Sequence, residues 1–437
     1  MIRHHSLAGT TTASLSNALR VLSRPTQPLR QPKLVPHPLL EALRRAGTSH
    51  VYADTASVND LGGLISVDQG SIYGEVDGNT VNQPLVHKVV QDYLNVFDPQ
   101  ACAQVFGLSR RQPATVEQEA FCYAVLCAKI ANDFDHLFAS GRSWEVSLQL
   151  HMGLTAFPAQ AKEIARHISQ IVPSAIIKIP FAPHAPECFI LARDLEQEGI
   201  SVNFTSTFSA RQVIAAALLS NVTRTNIFMG RLDQGLQACL LGAHVDLEAQ
   251  RALRRQRRET GAKTLLIVAS MRNWETFLHT AGCDVYTAPV NVLRDWMKQT
   301  QAAPEQVESR LEDSYADCLG IPPHVLTALG EDRIGRLYRI EPSFIEFLTE
   351  FRSTPEWQNL TDGQTLVKRF DQAGFGDFFY APTEGEWKEI RGRKIPELDA
   401  PLTQRLALDT LYSLLADADF EKHQAEMDEL ILGHVAR

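Results

Sequence analysis

Short apolar segments alternate with amphipathic segments along the middle of this chain, between residues 50 and 300. Eight apolar segments have the length and residue types of buried strands: Val51–Asp54, Ile72–Val76, Trp144–Leu150, Ala175–Pro180, Ser201–Phe208, Asn226–Leu232, Leu265–Ser270 and Val285–Pro289. Helical spacing of apolar residues predicts helices between most of them, for example at Ala159–Ile171, Cys188–Glu198 and Ala210–Leu219. Near-continuous apolar strands that alternate with helices predict an α/β fold with a parallel sheet covered by helices.

Eight strand–helix units over about 250 residues predict a (β/α)8 TIM barrel. A doubly wound open sheet is the alternative, and it normally carries a glycine-rich phosphate loop after its first strand. No such loop follows the first predicted strand, and the G-x-x-x-x-G-K-[ST] pattern is absent from the sequence. We therefore expect the barrel.

The two ends of the chain differ from the middle. Residues 1–37 contain no Asp or Glu, and we expect a basic, flexible extension there; an organelle transit peptide is the alternative. The barrel is predicted over residues 38–320, and residues 321–437 are expected to be mostly helical and packed on it. In that last region Leu408, Leu411, Leu414 and Leu415 have helical spacing. The pattern leaves open whether this region closes over a site, covers a barrel face or mediates association, for example as a homodimer.

Composition and charge limit the classes of partner that we expect this protein to bind. The 437 residues contain 42 Lys plus Arg and 51 Asp plus Glu, so the formal net charge is 42 − 51 = −9, which disfavours a nucleic-acid partner. No run of about 18 uncharged apolar residues occurs, so no membrane partner is expected. The seven cysteines are scattered and form no C-x-x-C pair, which favours a reduced, cytoplasmic setting and no metal site.

Polar residues at the predicted strand ends are the candidates for function, because barrel chemistry lies at the C-terminal ends of the strands. They are Asp54, Asp77 and Asn82 in or after the first two strands, Glu145, Lys178, Asn203 and Thr205 within the next three, and Arg231, Ser270 and Arg272 at the ends of the sixth and seventh.

Lys178 stands out because lysine is rare inside a buried strand, and this one interrupts the apolar run AIIKIP. Burial lowers a lysine pKa, and a neutral amine can attack a carbonyl carbon to form a Schiff base. A lysine that extends to the rim of an edge strand is the structural alternative. The neighbouring strand ends favour chemistry, since Asp54 and Glu145 supply acid/base groups and two arginines suit a phosphate. Together these residues predict an aldolase-type site for a phosphorylated sugar.

Eight strings in chain order resemble the transaldolase family of class I aldolase-type barrels. They are VYAD at Val51–Asp54, GNTVN at Gly78–Asn82, SWEV at Ser143–Val146, IKIP at Ile177–Pro180, GISVNFT at Gly199–Thr205, FMGR at Phe228–Arg231, ASMRN at Ala269–Asn273 and AGCD at Ala281–Asp284. The resemblance implies transfer of a three-carbon dihydroxyacetone unit from sedoheptulose 7-phosphate or fructose 6-phosphate to an aldose phosphate, in the non-oxidative pentose phosphate pathway. It implies no cofactor.

The resemblance also implies the role of each matching residue. The catalytic residues would be Lys178 as the Schiff-base lysine, Asp54 and Glu145 as acid/base groups, and Thr205 as the partner of Glu145 in holding a water. The substrate-binding residues would be Asn82, Asn203, Asn226, Phe228, Arg231, Ser270 and Arg272. Asn226 departs from the family, which commonly has a serine at this position, and Gln83 separates Asn82 from Pro84.

One alignment alternative matters for the activity. Gln149 could occupy the position of the catalytic glutamate, as in the related fructose-6-phosphate aldolases. Ser143 and Val146 favour Glu145 instead, and Phe228 resembles transaldolases, since those aldolases carry a tyrosine there. An aldolase that releases dihydroxyacetone, and a repurposed barrel with a different sugar or only a binding role, therefore stay open as alternatives.

Overall fold

Eight parallel strands form a closed barrel in the computed structural model, which describes residues 23–24, 33–35, 37–61, 71–73, 76–98, 113–138, 144–299 and 303–435. The strands are β1 His50–Asp54, β2 Gly78–Thr80, β3 Glu145–Gln149, β4 Ala175–Pro180, β5 Val202–Thr207, β6 Arg224–Phe228, β7 Leu265–Ala269 and β8 Val285–Ala288. Each strand pairs with the next along the chain, and β8 pairs with β1. The predicted (β/α)8 fold is confirmed.

Helices connect and cover these strands. Those before residue 320 are Pro38–Arg45, Val58–Leu61, Gln83–Tyr93, Val116–Phe138, Pro158–Ile171, Glu187–Gln197, Ala210–Ala215, Met229–Leu236, Leu241–Thr260, Glu275–His279 and Val290–Met297. A π-helical turn at Ala216–Ser220 extends one of them, and single 3₁₀ turns lie at Leu94–Val96, Met152–Ala156, Pro304–Gln306 and Ala316–Cys318.

Two of the strand predictions are wrong in position. The expected second strand, Ile72–Val76, only overlaps the strand Ser71–Tyr73, which pairs with Lys33–Val35 in a separate two-stranded sheet, and Gly78–Thr80 takes the barrel position. The barrel strand Gly78–Thr80 is polar, and its buried side chains form hydrogen bonds within the protein; for example, the Trp144 indole donates to Oδ1 of Asn79 at 2.9 Å. The expected sixth strand also ends early, at Phe228, because a helix begins at Met229. Short apolar runs do not distinguish strand from helix by periodicity.

The strand register places interior side chains at different depths. Glu145 begins β3 and pairs with Gly78, whereas Gln149 ends β3 and pairs with Lys178. Lys178 in turn pairs with Asn203 of β5. Because side chains alternate along a strand, Glu145 and Gln149 point to the same face, but they lie about 13 Å apart along it. They therefore belong to opposite ends of the barrel interior.

The region after residue 320 is helical and shares the hydrophobic core of the barrel. Its helices are Pro323–Leu329, Glu331–Gly335, Pro342–Arg352, Pro355–Gln358, Gly363–Gln372, Glu384–Ile390, Pro401–Arg405 and the C-terminal helix, Leu408–Val435, with a 3₁₀ turn at Gly376–Phe378. Phe378 packs on Phe181 after β4, with ring centroids 5.1 Å apart. Buried Tyr412 and Phe420 of the C-terminal helix belong to the same core cluster as the barrel strands.

Two buried polar contacts fix the start of the C-terminal helix on the barrel. Arg211 donates to both carboxylate oxygens of Asp409 at 2.7 and 2.8 Å. One turn further on, the Ser413 hydroxyl donates to the Ser206 carbonyl of β5 at 2.7 Å. Ser206 has a φ of 63° and lies at an irregularity in the β5–β6 register. The C-terminal helix therefore lies over the C-terminal ends of the barrel strands.

Most of the predicted N-terminal extension, residues 1–37, lies outside the described residues. Within the described ranges, no helix combines the length and the apolar character that a membrane crossing requires.

Candidate active site

A cavity opens at the C-terminal ends of the barrel strands. Nine of the eleven residues predicted for the site line it: Asp54, Asn82, Lys178, Asn203, Asn226, Phe228, Arg231, Ser270 and Arg272. They come from β1, β4, β5 and β6 and from the segments that follow β2, β6 and β7. The cavity thus lies where barrel enzymes hold their active sites.

Lys178 forms the floor of this cavity. Its side chain belongs to a strand whose six residues are all buried, and only 4% of the residue is exposed. Burial lowers the pKa of Lys178 to about 8, although the carboxylate of Asp54 opposes this shift. The Nζ atom makes one long contact, 3.5 Å from the Val81 carbonyl oxygen. A neutral, accessible amine is therefore populated near neutral pH, as a carbonyl nucleophile requires.

Asp54 is the carboxylate that faces Lys178. Desolvation in the cavity raises its pKa, while the positive charge of Lys178 and a 2.8 Å hydrogen bond from Thr80 lower it. An acid with a raised pKa can both accept and return a proton. Asn82 lies beside this pair because its side chain caps the helix Gln83–Tyr93, accepting from the Leu85 amide at 3.1 Å.

Several buried polar atoms around Lys178 have no hydrogen-bond partner among the described residues. They include Oδ1 of Asn203 and both side-chain heteroatoms of Asn226, which line the cavity, and Oε1 of Gln149 and Oγ1 of Thr205, which lie outside its lining. Buried polar groups are normally paired, so the unpartnered atoms of Asn203 and Asn226 indicate a surface suited to a polar ligand. Asn203 is oriented by a 2.9 Å hydrogen bond that its amide donates to Ser147.

Arginines occupy the opposite side of the cavity. Arg231 follows β6 in the first turn of the helix Met229–Leu236, not at the end of the strand as predicted, and Arg272 follows β7. Partial desolvation, then the charge of Arg231, lowers the pKa of Arg272. Gly230 allows the segments that carry Arg231 and Arg272 to approach closely, because a Cβ at this position would lie only 2.1 Å from the Ser270 carbonyl oxygen. Ser270 itself has a left-handed φ of 64°.

The prediction that Glu145 shares this cavity is wrong. Its carboxylate lies at the N-terminal end of the barrel, where it accepts from Arg224 (3.2 Å) and from the Tyr52 hydroxyl. His50 lies nearby, 3.9 Å away. Glu145 and Gln149 are four residues apart, so their side chains point to the same face of the strand but lie at different depths in the barrel. Comparison of short sequence strings does not detect this difference in depth. Gln149 is the residue at the level of Lys178.

Thr205 is also outside the group that lines the cavity. It is fully buried in β5, two residues beyond Asn203 and paired with Pro180. Without Glu145 nearby, the predicted shared water of these two residues has no counterpart in the described geometry.

Eleven of the twenty residues that line the cavity were not predicted, and three of these come from the region after residue 320. Lys394, Asp419 and Phe420 line the cavity opposite the barrel floor. No local pattern marks them, because they reach the cavity only through the packing of the C-terminal helix. Gln149, by contrast, had a usable indication: it stands at the C-terminal end of β3, whereas Glu145 stands at its start.

Within the described ranges, two groups of potential metal ligands lie outside the cavity, and both include residues of the C-terminal helix. They are His87 with His423 and Glu426, and Glu119 with His151 and Asp428. In the second group the Gly153 amide donates to Nδ1 of His151, so Nε2 is the atom that donates to Asp428, 3.0 Å away. In the first, the two Nδ1 atoms are 3.1 Å apart. Local spacing could not reveal either group, since each joins distant segments.

The fold and the site together define a (β/α)8-barrel protein with a lysine, a facing carboxylate and two arginines around one cavity. A sequence model of the Transaldolase/Fructose-6-phosphate aldolase family matches residues 51–326, well over half of the chain. The chain belongs to this family, and the predicted transaldolase resemblance is confirmed at that level.

Individual relatives are more distant. A protein of Dictyostelium discoideum described as "probable transaldolase" is 28% identical over 302 residues, which cover 64% of this chain and 88% of that protein. The similarly described protein of Hyphomonas neptunium is 26% identical over 246 residues, covering 56% and 87%. That of Moorella thermoacetica is 34% identical over 137 residues, covering 30% of this chain and only 57% of the relative.

Proposed function

We propose that this protein is a transaldolase, transferring a dihydroxyacetone unit from a ketose phosphate to an aldose phosphate through a Schiff base on Lys178. The observation that carries the proposal is the buried Lys178 amine, with a pKa lowered to about 8, on the floor of a cavity that also holds Asp54. The names of the relatives support the same activity.

In the proposed reaction the neutral amine of Lys178 attacks the C2 ketone of the donor, and water leaves to give an iminium ion. Asp54 takes the proton of the C4 hydroxyl, the C3–C4 electron pair moves into the iminium, and an aldose phosphate departs. The remaining enamine attacks the carbonyl of the acceptor aldose, and the steps reverse. The lysine iminium is the electron sink, so the scheme uses no cofactor.

Proton transfer during iminium formation falls to Asp54 in this scheme. Among the described residues that line the cavity, only Asp54 and Asp419 carry carboxylates, and only Asp54 influences the pKa of Lys178. The amide of Gln149 can orient a water or a hydroxyl group, but it cannot exchange protons as a carboxylate does. The unpartnered groups of Asn203 and Asn226 are suited to the hydroxyl groups of the enamine.

Borohydride trapping tests the covalent step. Reduction in the presence of dihydroxyacetone should add one three-carbon unit to Lys178, detected by mass spectrometry of the intact chain and of its peptides. Lys178→Met should abolish the adduct, and Lys263→Met, which changes an exposed lysine far from the cavity, should keep it. A persistent adduct in Lys178→Met would contradict the proposal.

A fructose-6-phosphate-type aldolase is the second candidate, and the position of Gln149 favours it, since the resemblance associates a glutamine there with those aldolases. Product analysis separates the two. A transaldolase forms sedoheptulose 7-phosphate from fructose 6-phosphate only when erythrose 4-phosphate is supplied and releases little dihydroxyacetone. An aldolase releases dihydroxyacetone without an acceptor.

A further inference from the structure

The C-terminal region contributes two charged side chains to the cavity, although both lie more than 200 residues beyond the lysine strand. Lys394 follows the helix Glu384–Ile390, and Asp419 lies in the middle of the C-terminal helix. Both face the arginine side of the cavity. Lys394 and Asp419, which carry opposite charges, thus lie beside two arginines that suit an anion.

Asp419 contacts two of the cations that line the cavity, Arg231 and Lys394. Its Oδ2 accepts from Nη2 of Arg231 at 2.8 Å, and its Oδ1 lies 3.2 Å from Nζ of Lys394. The side chains of Arg231 and Asp419 are only 11% and 5% exposed, so their contact is shielded from solvent, whereas the Lys394 side chain is 61% exposed. The imidazole Nε2 of His423 is a further neighbour of Oδ1, at 3.9 Å.

Arg231 is held from two further directions. Its guanidinium lies over the rings of Phe228 and Phe420, with centroid distances of 5.6 and 5.9 Å, and cation–π contacts of this kind restrict its orientation. Its second terminal nitrogen, Nη1, is buried and has no hydrogen-bond partner among the described residues. One edge of the guanidinium is therefore anchored by Asp419, while a donor on the other side stays available to a ligand.

The charges at this end of the cavity sum to an excess of cations. Arg231, Arg272 and Lys394 are positive and Asp419 is negative, so these four side chains carry a net charge of +2, although Asp54 of the cavity floor also acts on Arg272. A phosphate monoester is close to a dianion at neutral pH, and its oxygens accept readily from guanidinium and ammonium groups. The complement in charge is therefore a terminal phosphate group.

We propose that the C-terminal region completes the phosphate-binding subsite: Lys394 binds the substrate phosphate directly, and Asp419 positions Arg231 and Lys394 for it. The inference rests on the proposed aldol transfer for the identity of the ligand. The competing role for Asp419 is an internal anion that blocks the subsite. Its contact with a single nitrogen of Arg231 argues for positioning, because Nη1 is left unpaired.

Paired substrates test the subsite in the full chain. For Lys394→Met, the ratio of kcat/KM for glyceraldehyde 3-phosphate to that for glyceraldehyde should fall about tenfold, mainly through KM, because one charged contact to the phosphate is lost. Lys422→Met is the matched control: this lysine is on the C-terminal helix and has the same 61% side-chain exposure. Its ratio should match that of the unaltered protein, and an unchanged ratio in Lys394→Met would overturn the inference.

Asp419 requires a different pair of variants. Asp419→Asn should weaken inhibition by inorganic phosphate and raise KM for the phosphorylated acceptor with a smaller change in kcat, and Asp419→Glu should restore part of both. Tighter phosphate inhibition in Asp419→Asn would instead identify Asp419 as a blocking group and overturn the positioning role. Trapping of unphosphorylated dihydroxyacetone on Lys178 is measured in parallel. Loss of trapping in the unaltered protein defeats the proposed function, whereas retained trapping without phosphate selectivity defeats only this inference.

Discussion

Both ends of the barrel interior contain charged and polar side chains, but those at the N-terminal end bond to one another, whereas several at the C-terminal end have no partner among the described residues. At the N-terminal end, Glu145, Arg224 and Tyr52 bond to one another, so that carboxylate, guanidinium and hydroxyl are mutually satisfied. At the C-terminal end, Lys178 makes only a 3.5 Å contact to a carbonyl, and the amide of Asn226 has no partner among the described residues. Paired charges close the first end, whereas unpaired polar groups leave the second ready for a ligand.

The comparison shows why residue type alone is a poor guide to catalysis. Glu145 has the expected chemistry, but its carboxylate is already engaged in a structural ion pair. Asp54, by contrast, has a pKa that desolvation raises, and its charge acts on the pKa of Lys178.

The largest effect is expected for Asp54→Asn at the C-terminal end of the barrel interior, called the open end here in contrast to the closed, N-terminal end. Carbon–carbon bond cleavage should slow by about 10³-fold, because the proton acceptor for the C4 hydroxyl is lost. The dihydroxyacetone adduct should form more slowly but still accumulate, because Asp54 is also the proposed proton-transfer group of iminium formation, whereas removing this carboxylate lowers the pKa of Lys178 further. Steady-state kcat with fructose 6-phosphate and borohydride trapping measure the two steps. An unchanged kcat in the folded variant would contradict the assigned role.

Arg224→Met should have the next largest effect, and on stability. It leaves the partly exposed Glu145 carboxylate without its cation, so we expect the free energy of unfolding to fall by about 2 kcal/mol. Urea unfolding followed by circular dichroism measures this. Arg255→Met, at an exposed position, is the control and should change stability by less than about 0.5 kcal/mol. A stable Arg224→Met variant without adduct formation would mean that the two ends are coupled.

The open end should titrate near neutral pH. With a Lys178 pKa of about 8, the neutral amine fraction increases with pH, and the rate of adduct formation should rise about tenfold between pH 7 and pH 9. Stopped-time borohydride trapping at fixed dihydroxyacetone concentration gives the profile. A lysine with an ordinary pKa would show a rise of about a hundredfold over the same range, which would indicate that Lys178 is not desolvated.

The smallest effect is expected for Glu145→Gln, which makes the same carboxylate-to-amide change as Asp54→Asn but at the closed end. We expect kcat to stay within about twofold, because the partners of this carboxylate among the described residues, Tyr52, Arg224 and His50, do not line the cavity, and stability to fall by about 1 kcal/mol. A decrease in kcat of tenfold or more, with the fold intact, would return Glu145 to the reaction.

Much of the site was predictable because barrel chemistry follows strand ends. Lys178 was visible as a charge inside an apolar run, and Asp54, Asn203 and Arg272 were visible as polar residues where predicted strands end. The choice between Glu145 and Gln149 was not resolved correctly, since period-two alternation gives both residues the same face. Depth along that face depends on how neighbouring strands are staggered, which is a property of the closed barrel.

By itself, the sequence determined the alternation of strands and helices, the barrel and the lysine on its floor, because apolar periodicity and strand-end polarity are local properties of the chain. Only the tertiary structure decided that Glu145 belongs to the closed end and that Lys394 and Asp419 reach the cavity. These facts depend on strand stagger and on the docking of a helix from a distant segment. Both arise from packing between distant parts of the chain, which no single stretch of sequence encodes.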